Sequence, residues 1–161
     1  MARIKQRYET DGFYGIGILH NDEECNLGTL WRSAFILGAS FIFTIDKKYK
    51  KQSSDVTRAW TKIPLYNYPD FETFYQSIPF STQLVGVELT EDSTNLAEFE
   101  HPTRAIYLLG SESTGLGNNI LAQCHSVVSL PGDFSLNVSV TGSIIAHDRV
   151  AKVPTVLPKR K

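Results

Sequence analysis

The sequence is poor in cysteine, has no long apolar run and carries almost no net charge. Its two cysteines, Cys25 and Cys124, lie far apart and form no CxxC pair and no cluster with histidine, so a structural zinc site is not expected. The longest apolar stretches, such as 144–146, are too short to span a bilayer. Residues 1–7 carry charges with no apolar segment behind them. We therefore expect no secretion signal, reduced thiols and a cytoplasmic location.

The composition is that of a single globular domain. Hydrophobic residues make up 42% and charged residues 20% of the 161 positions, which excludes a disordered chain, a collagen-like repeat and a coiled coil. No repeat and no linker divides the chain. We therefore expect residues 1–161 to form one domain.

The near-zero charge hides a strong segregation along the chain. By itself, the net charge of −1 argues weakly against a nucleic-acid partner. Residues 1–62 hold ten basic and seven acidic side chains, residues 63–148 hold one and ten, and residues 149–161 hold five and none. Such segregation can create a local positive field even when the sum is near zero. Two ordinary solvated faces are the simpler alternative.

Apolar periodicity predicts strands that alternate with helices. The predicted strands are 13–19, 40–45, 63–66, 83–89, 105–109 and 126–130, and the predicted helices are 26–37, 70–77 and 135–150. Asn26 is expected to be the N-cap of the first helix and Gly38 its C-terminal stop. The alternation implies an α/β fold with a mostly parallel sheet covered by helices on both faces. Ligands of such folds bind at the carboxyl ends of the strands.

Two glycine patterns begin like nucleotide-binding motifs but lack an essential residue. Segment 15–17 resembles the start of a dinucleotide fingerprint, but His20 stands at its third glycine position. Segment 110–115 has the spacing of a P-loop, but Leu116 stands where lysine is required. These absences exclude both motifs.

Three polar segments each follow a predicted strand. Asn26 and Arg32 lie in the first helix, six residues and about 1.7 turns apart, so they can flank one site without touching. Glu112 is the acid of a glycine-containing loop. Ser135 and Asn137 frame the start of the last helix, whose free N–H groups need polar partners. Alone, each residue has a structural explanation as a cap, a surface arginine or a turn acid. Their shared position at strand ends favours a functional site.

These segments resemble the motifs of the SpoU (TrmH-type) RNA 2′-O-ribose methyltransferase family of the SPOUT superfamily. The patterns are N-x-G-x-x-x-R from Asn26, G-x-E-x-x-G-L from Gly110 and S-L-N-V-S-V from Ser135, in the family's order and spacing. The resemblance covers residues 13–148 and implies an enzyme that uses S-adenosyl-L-methionine to methylate a ribose 2′-hydroxyl of tRNA or rRNA. It also implies a C-terminal trefoil knot, an exception to the usual unknotted chain, and a homodimer with no membrane partner.

The resemblance assigns roles to individual residues. Arg32 matches the catalytic arginine, Asn26 matches the asparagine that helps to place it, and Glu112 matches the acid of the second motif. Ser135 and Asn137 match residues near the cofactor and the target phosphate. The expected cofactor-binding residues are Leu89, Gly110, Leu130, Ser135 and Leu136. Leu89 lies outside any motif, and no metal ion is expected.

The expected reaction depends mainly on positioning. Methyl transfer to a ribose hydroxyl is an in-line displacement that must also remove a proton from a very weak acid. Because arginine stays protonated at physiological pH, our hypothesis is that Arg32 holds an RNA phosphate bidentately rather than acting as the base. Further candidate RNA contacts are Arg3, Lys5, Arg7, Lys47, Lys48, Lys50, Lys51, Arg58, Lys62, Lys159, Arg160 and Lys161. Such contacts add affinity but no sequence choice.

The sequence also departs from the family pattern. Gly132 stands where methionine is usual, segment 141–143 replaces small alanines, and Asp148 ends an atypical pair with His147. These changes concern the packing of the cofactor pocket and the dimer face. With no separate RNA-binding domain expected, the chain resembles minimal family members. Two alternatives are a non-catalytic module that binds RNA or an adenosyl ligand, and an RNA base methyltransferase.

Overall fold

Seven strands and four α-helices alternate along the part of the chain that the structure describes. The structure is a computed structural model that describes residues 12–20, 24–47, 50 and 56–159, with the backbone alone at positions 24 and 25. The strands are β1 (Phe13–Leu19), β2 (Phe41–Ile45), β3 (Leu65–Tyr68), β4 (Gln83–Val87), β5 (Thr94–Asn95), β6 (Arg104–Leu109) and β7 (Ser126–Ser129). The helices are α1 (Glu24–Ile36), α2 (Phe71–Gln76), α3 (Asn118–Leu121) and α4 (Val138–Lys152), and a 3-10 turn spans Ala59–Thr61.

The strands form one sheet in which every neighbouring pair runs parallel. Their order is β3-β2-β1-β6-β4-β7-β5, so β1, β6 and β4 occupy its middle. This confirms the prediction of a parallel sheet. Because all strands run in one direction, the loops after them meet at a single edge of the sheet.

Helices cover both faces of the sheet, as predicted. Leu30 of α1 and Ile145 of α4 belong to the buried cluster on one face. Phe74 of α2 and Ile120 of α3 pack around Phe43 on the other face. Full burial of an aliphatic side chain such as Leu30 contributes about 1.5–3 kcal/mol. No helix within the described ranges is long and apolar enough to cross a bilayer.

The glycines of segment 15–17 make room for aromatic rings. Gly15 pairs with Phe41 and Gly17 with Phe43 in the β1–β2 register. A Cβ atom on Gly15 would lie 2.3 Å from ring atoms of Phe41, and one on Gly17 would lie 2.5 Å from the ring of Phe43. The pattern that begins like a dinucleotide fingerprint is therefore a packing feature of β1.

Helix α1 begins earlier than predicted. It starts at Glu24, so Asn26 lies inside the helix and the N-cap prediction for Asn26 is wrong. The predicted C-terminal stop is confirmed, because Gly38 has a φ of +81° and the N–H of Ala39 donates to the carbonyl of Ala34 at 2.9 Å. This is the Schellman geometry that glycine allows at a helix end.

The remaining differences concern element ends and very short elements. Strand β3 spans residues 65–68 rather than 63–66, because its pairing with β2 begins at Leu65. Strand β4 ends at Val87, two residues before the predicted end. Helix α4 begins at Val138 rather than at position 135. Strand β5, helix α3 and the 3-10 turn are missing from the prediction because they are too short for apolar periodicity to show.

Arg149 belongs to the core, although the charge pattern places it in the basic C-terminal segment. It is 2% exposed, and its guanidinium donates to the carbonyls of Pro102 at 2.6 Å and Thr103 at 2.9 Å and to the hydroxyl of Tyr107 at 3.2 Å. A buried guanidinium is tolerated only when it is hydrogen-bonded in this way. Arg149 thus ties α4 to the amino end of β6 and is not a surface cation.

A buried histidine extends this network. The Nδ1 atom of His101 lies 2.6 Å from the Tyr107 hydroxyl, and Nε2 lies 2.8 Å from Oδ2 of Asp148, which also pairs with Lys152 at 2.8 Å. Burial raises the pKa of Tyr107 to about 12, so this hydroxyl keeps its proton. Burial also lowers the pKa of His101, although the hydrogen bond to Asp148 opposes the shift. A neutral imidazole that donates to Asp148 and accepts from Tyr107 satisfies every contact. The presence of Asp148, where the sequence departs from the family pattern, is therefore explained by its contacts with His101 and Lys152.

Replacing Arg149 with methionine should destabilise the fold strongly. The variant keeps most of the apolar volume but removes the side-chain donor to the carbonyl of Pro102 and one of the two donors to the carbonyl of Thr103, which still accepts the N–H of Phe13 at 3.1 Å. We expect the free energy of unfolding to fall by about 1–3 kcal/mol in urea titrations, the usual cost of a buried acceptor that loses its donor. The matched control is Arg104→Met, since Arg104 is exposed and lies over the Phe13 ring at 5.7 Å. A loss of less than about 1 kcal/mol is expected there; equal losses in both variants would contradict the assignment of Arg149 to the core.

The His101 network makes stability sensitive to acid. Because the pKa of His101 lies below its ordinary value of 6.5 in the folded protein, the unfolded chain takes up the proton first and stability falls as the pH drops below 6.5. The His101→Gln variant cannot titrate there. We expect its unfolding free energy to change less than that of the wild type between pH 7 and pH 5, as measured by urea unfolding at each pH. Parallel curves for the two proteins would show that His101 does not contribute.

Candidate functional site

A large cavity opens at the carboxyl edge of the sheet. Its volume is ≈ 710 Å³, within the range of small-molecule sites. The ends of β4, β6 and β7, the loops that follow them and the start of α4 form its walls. This is the location expected for a ligand of a parallel α/β fold.

The cavity gathers most of the residues singled out in the sequence. All five expected cofactor-binding residues line it, namely Leu89, Gly110, Leu130, Ser135 and Leu136. Three of the five expected catalytic residues line it as well: Glu112, Asn137 and Ser135, which is expected in both roles. Asn26 and Arg32 do not line the cavity. The structure therefore brings the second and third motifs into one wall and places the first motif beside it.

Three of the expected catalytic residues form a hydrogen-bonded group, which we call the Asn–Glu–Asn cluster: Asn26, Glu112 and Asn137. The amide of Asn137 donates to Oε1 of Glu112 at 2.6 Å and to Oδ1 of Asn26 at 3.0 Å. The amide of Asn26 donates to the same Glu112 oxygen at 3.2 Å. Asn26 is only 5% exposed, so its position is set by these contacts and by the core around it.

Asn137 is also the N-cap of α4. Its Oδ1 atom accepts hydrogen bonds from the N–H of Ser139 at 2.9 Å and the N–H of Val140 at 3.3 Å. Its amide nitrogen remains available for the Asn–Glu–Asn cluster. The Asn137 oxygen therefore caps the helix, while the nitrogen donates to residues of the first two motifs. Because Asn137 is the N-cap, α4 begins only at Val138.

The glycines of the second motif allow a tight loop. A Cβ atom on Gly110 would lie 2.2 Å from backbone atoms of Gly115, and Gly115 itself has a φ of +60°. These glycines therefore let the two ends of the loop approach each other.

Sequence reasoning missed Glu88, a second carboxylate in the cavity wall. Its Oε2 atom accepts the N–H of Leu116 at 2.7 Å and its Oε1 atom accepts the N–H of Leu89 at 3.0 Å. Glu88 thereby fastens the second-motif loop to the end of β4. The signal in the sequence is an acidic residue at the end of an apolar run. Because the predicted strand 83–89 extends past Glu88, the prediction places this residue inside a strand rather than in the loop that follows β4.

Arg32 lies outside the Asn–Glu–Asn cluster. It is exposed on α1, roughly 9 Å along the helix axis from Asn26. The neighbouring side chain Ser33 accepts a hydrogen bond from Ser143 of α4 at 2.7 Å, which fixes this turn of α1 against α4. Within the ranges that the structure describes, the side chain of Arg32 has no hydrogen-bond or ion-pair partner, so its guanidinium is free to meet a ligand from solvent.

Several expected RNA contacts lie near the same helix. Arg58 and Lys62 flank the 3-10 turn that packs against α1, and the Lys62 ammonium lies 4.8 Å from the centroid of the Phe35 ring. Lys47, Lys50 and Lys159 are also exposed. The other candidates fall outside the described residues: Arg3, Lys5, Arg7, Lys48, Lys51, Arg160 and Lys161.

Comparison with known proteins gives matches to RNA methyltransferases. The curated mouse protein tRNA (guanosine(18)-2′-O)-methyltransferase TARBP1 is 26% identical over 133 residues, which are 77% of this chain but only 8% of that protein. Residues 17–147 match the model of the SpoU rRNA Methylase family.

Solved structures share the fold. An AdoMet-bound rRNA methyltransferase from Sinorhizobium meliloti superposes with a TM-score of 0.77 at 19% identity, over 89% of this chain and 58% of that one. The structure solved to study the 2-OH methylation of C/U34 on tRNA superposes with a TM-score of 0.76 at 19% identity, over 88% of this chain and 97% of that one. With the family model matching most of its length, the chain belongs to the SpoU rRNA methylase family.

Proposed function

We propose that this protein is an S-adenosyl-L-methionine-dependent methyltransferase that acts on a ribose 2′-hydroxyl of tRNA or rRNA. The observation that carries the proposal is the Asn–Glu–Asn cluster at the wall of the large cavity. Residues 26, 112 and 137 come from three distant segments, yet they share hydrogen bonds of 2.6 to 3.2 Å. The matched relatives, which are named as tRNA and rRNA methyltransferases, support the same reaction class.

The cavity suits the proposed cofactor. Leu89, Leu130 and Leu136 provide apolar surface of the kind that holds an adenine ring, and Glu88 and Glu112 provide carboxylates that complement a positively charged sulfonium. When bound, S-adenosyl-L-methionine supplies an electrophilic methyl group. The backbone around Gly110 and the Ser135 hydroxyl are the polar groups that would hold it.

The residues of the Asn–Glu–Asn cluster act by position. Glu112 accepts two amide N–H bonds at one oxygen, which holds both asparagines in a single arrangement. The rest of the Glu112 carboxylate and the Ser135 hydroxyl remain to orient a ribose hydroxyl against the cofactor. Preorganised groups of this kind lower the barrier because little reorganisation is needed during the reaction.

Arg32 and the basic residues near α1 would hold the RNA. The planar fork of Arg32 suits bidentate contact with a phosphate, and Arg58 and Lys62 extend the positive surface on the same side of the protein. Trp60, which is 37% exposed between them, offers a ring on which an unpaired base can stack.

The proposal includes a homodimer and a C-terminal trefoil knot. The exposed apolar residues Val140 and Ile144 lie four positions apart on α4, and Ile36 is exposed at the end of α1. Because α1 and α4 pack together, these side chains support a dimer face on that side of the molecule. Membership of the SpoU family, to which the motif resemblance attaches a knot, supports this part of the proposal.

The decisive test incubates the protein with labelled S-adenosyl-L-methionine and total tRNA or rRNA and then maps alkali-resistant linkages. Label at a ribose is expected. The Arg32→Lys variant keeps the charge but loses the planar fork, so we expect turnover to fall at least tenfold. Arg104→Lys, which changes an exposed arginine at the opposite edge of the sheet, is the control.

Each other outcome of this test has a clear meaning. Label found only on a base would replace the ribose reaction with base methylation. Label on no RNA, together with intact cofactor binding, would favour the non-catalytic module. Near-normal turnover by Arg32→Lys would refute the role of the guanidinium fork.

Variants of Asn137 separate positioning from stability. Asn137→Ser keeps an N-cap but loses the amide donor, whereas Asn137→Ala loses both. We expect both variants to lose most of the methyl transfer, because neither can donate to Glu112 and Asn26. Only Asn137→Ala should lower the unfolding free energy by a further ~1 kcal/mol, the usual value of a cap. Full activity in Asn137→Ser would contradict the cluster's role.

A further inference from the structure

A second cavity adjoins the first at the carboxyl edge of the sheet. Its volume is ≈ 400 Å³, which is also within the range of small-molecule sites. The ends of β1, β2 and β3 border it on one side, and the loop that carries the second motif borders it on the other. Thr114 and Gly115 line both cavities, so a single stretch of backbone separates them.

The polar groups of this second cavity are mainly acceptors. Asp46 and Asp70 present carboxylates, and the Asn119 side chain adds an amide. Asp46 Oδ2 lies 2.6 Å from Nδ1 of His20, and within the described ranges no group donates a hydrogen bond to its Oδ1. Asp70 Oδ1 accepts the N–H of Thr73 at 2.7 Å, and this bond lowers the pKa of Asp70, so the carboxylate is ionised at neutral pH.

The walls of the cavity are flat and partly apolar. Phe71 offers a half-buried ring, and the buried side chains of Leu19 and Ile120 form the floor. His20 and Asp46 both have positive φ angles, 51° and 72°, where the chain turns sharply out of β1 and β2. The exposed His20–Asp46 pair at these two turns lines the cavity together with Thr114 and Gly115 of the second-motif loop.

We propose that this second cavity binds a nucleobase of the RNA substrate by its hydrogen-donating edge, and that guanine fits it best. Guanine offers an N1–H and a 2-amino group side by side, so that one can donate to Oδ1 of Asp46 and the other to a remaining lone pair of Oδ2, which also lies 2.6 Å from His20 Nδ1. Phe71 provides apolar contact for the base. Bases read in this way are unpaired ones, held against aromatic rings and hydrogen-bonded along their Watson–Crick edges. The assignment of the base to an RNA substrate rests on the proposed function. The binding of guanine by the cavity does not depend on that function.

The charge of the cavity selects against other occupants. A phosphate group would meet the carboxylates of Asp46 and Asp70, which repel it. Uracil offers a single ring N–H between two carbonyl oxygens, and those oxygens would also face the carboxylates. Adenine and cytosine offer an amino group without an adjacent ring N–H. The order expected for binding is therefore guanine first and uracil last.

The test measures nucleoside binding directly, so it does not require methyl transfer. The protein is saturated with S-adenosylhomocysteine and titrated with guanosine, inosine or uridine, while the amide signals of Gly117 and Asn119 are followed by NMR. Guanosine should shift these signals. Inosine, which lacks the 2-amino group, should bind roughly tenfold more weakly, and uridine more weakly still. Guanosine monophosphate should bind no more tightly than guanosine.

Variants identify the reading group. Asp46→Asn should weaken guanosine binding at least fivefold, because the amide replaces one acceptor with a donor. Asp70→Asn keeps the helix cap and tests the second carboxylate. Glu72→Gln is the matched control, since Glu72 is exposed on α2, bonds to Gln76 and does not line the cavity.

The outcomes distinguish this site from the proposed function. Guanosine binding at Gly117 and Asn119 without any methyl transfer to RNA would refute the function and leave the site standing. Methyl transfer to RNA with no guanosine shift, or with uridine bound as tightly as guanosine, would overturn the site alone. If transfer occurs, Asp46→Asn should raise the KM for RNA at least fivefold and leave the affinity for S-adenosylhomocysteine unchanged. An unchanged KM would also count against the site.

Discussion

The structure of the site depends on the side-chain amide of Asn137, whose oxygen and nitrogen make different hydrogen bonds. The oxygen accepts the first free N–H groups of α4, and the nitrogen donates to Glu112 and Asn26. Asn137 is 111 residues from Asn26 and 25 residues from Glu112 along the chain. The position of α4 and the geometry of the cluster are therefore set by the same side chain. A substitution at Asn137 that keeps the helix cap but removes the amide donor therefore separates the stability of α4 from the geometry of the cluster.

The general architecture could be predicted from the sequence because it depends on local patterns. Apolar runs at strand spacing and the Gly38 stop are visible in short windows, and together they imply a parallel sheet with helices on both faces. The partners of Asn26 are not visible in this way. An asparagine near a helix start looks like a cap, and only the fold shows that its amide reaches across to Glu112 and Asn137. Strand β5, helix α3 and the 3-10 turn were not predicted for the same reason, because tertiary contacts define them.

The distribution of charge along the sequence does not by itself show which basic residues lie on the surface. Arg149 adds to the basic count of the C-terminal segment, yet it is buried between Tyr14 and Tyr107 and holds the amino edge of the sheet together. Arg32, by contrast, is exposed on α1, the helix against which the 3-10 turn between Arg58 and Lys62 packs. The two edges of the sheet thus have different tasks. The amino edge carries a buried network in which Arg149 donates through both terminal nitrogens, although its Nε has no partner among the described residues, and the carboxyl edge carries groups with hydrogen-bonding capacity left over for ligands.

The loop of the second motif gives the two cavities a common wall. Glu88 holds the N–H of Leu116 at 2.7 Å, and Gly115 adopts a φ of +60° that brings it against the same carboxylate. A ligand that presses on one side of this wall changes the surface offered on the other, because Thr114 and Gly115 face both cavities. If the first cavity holds the cofactor and the second a base, their binding free energies are coupled through this backbone, and the coupling must be equal in both directions. Under the proposed function, this short loop would link the position of the methyl donor to the position of the base.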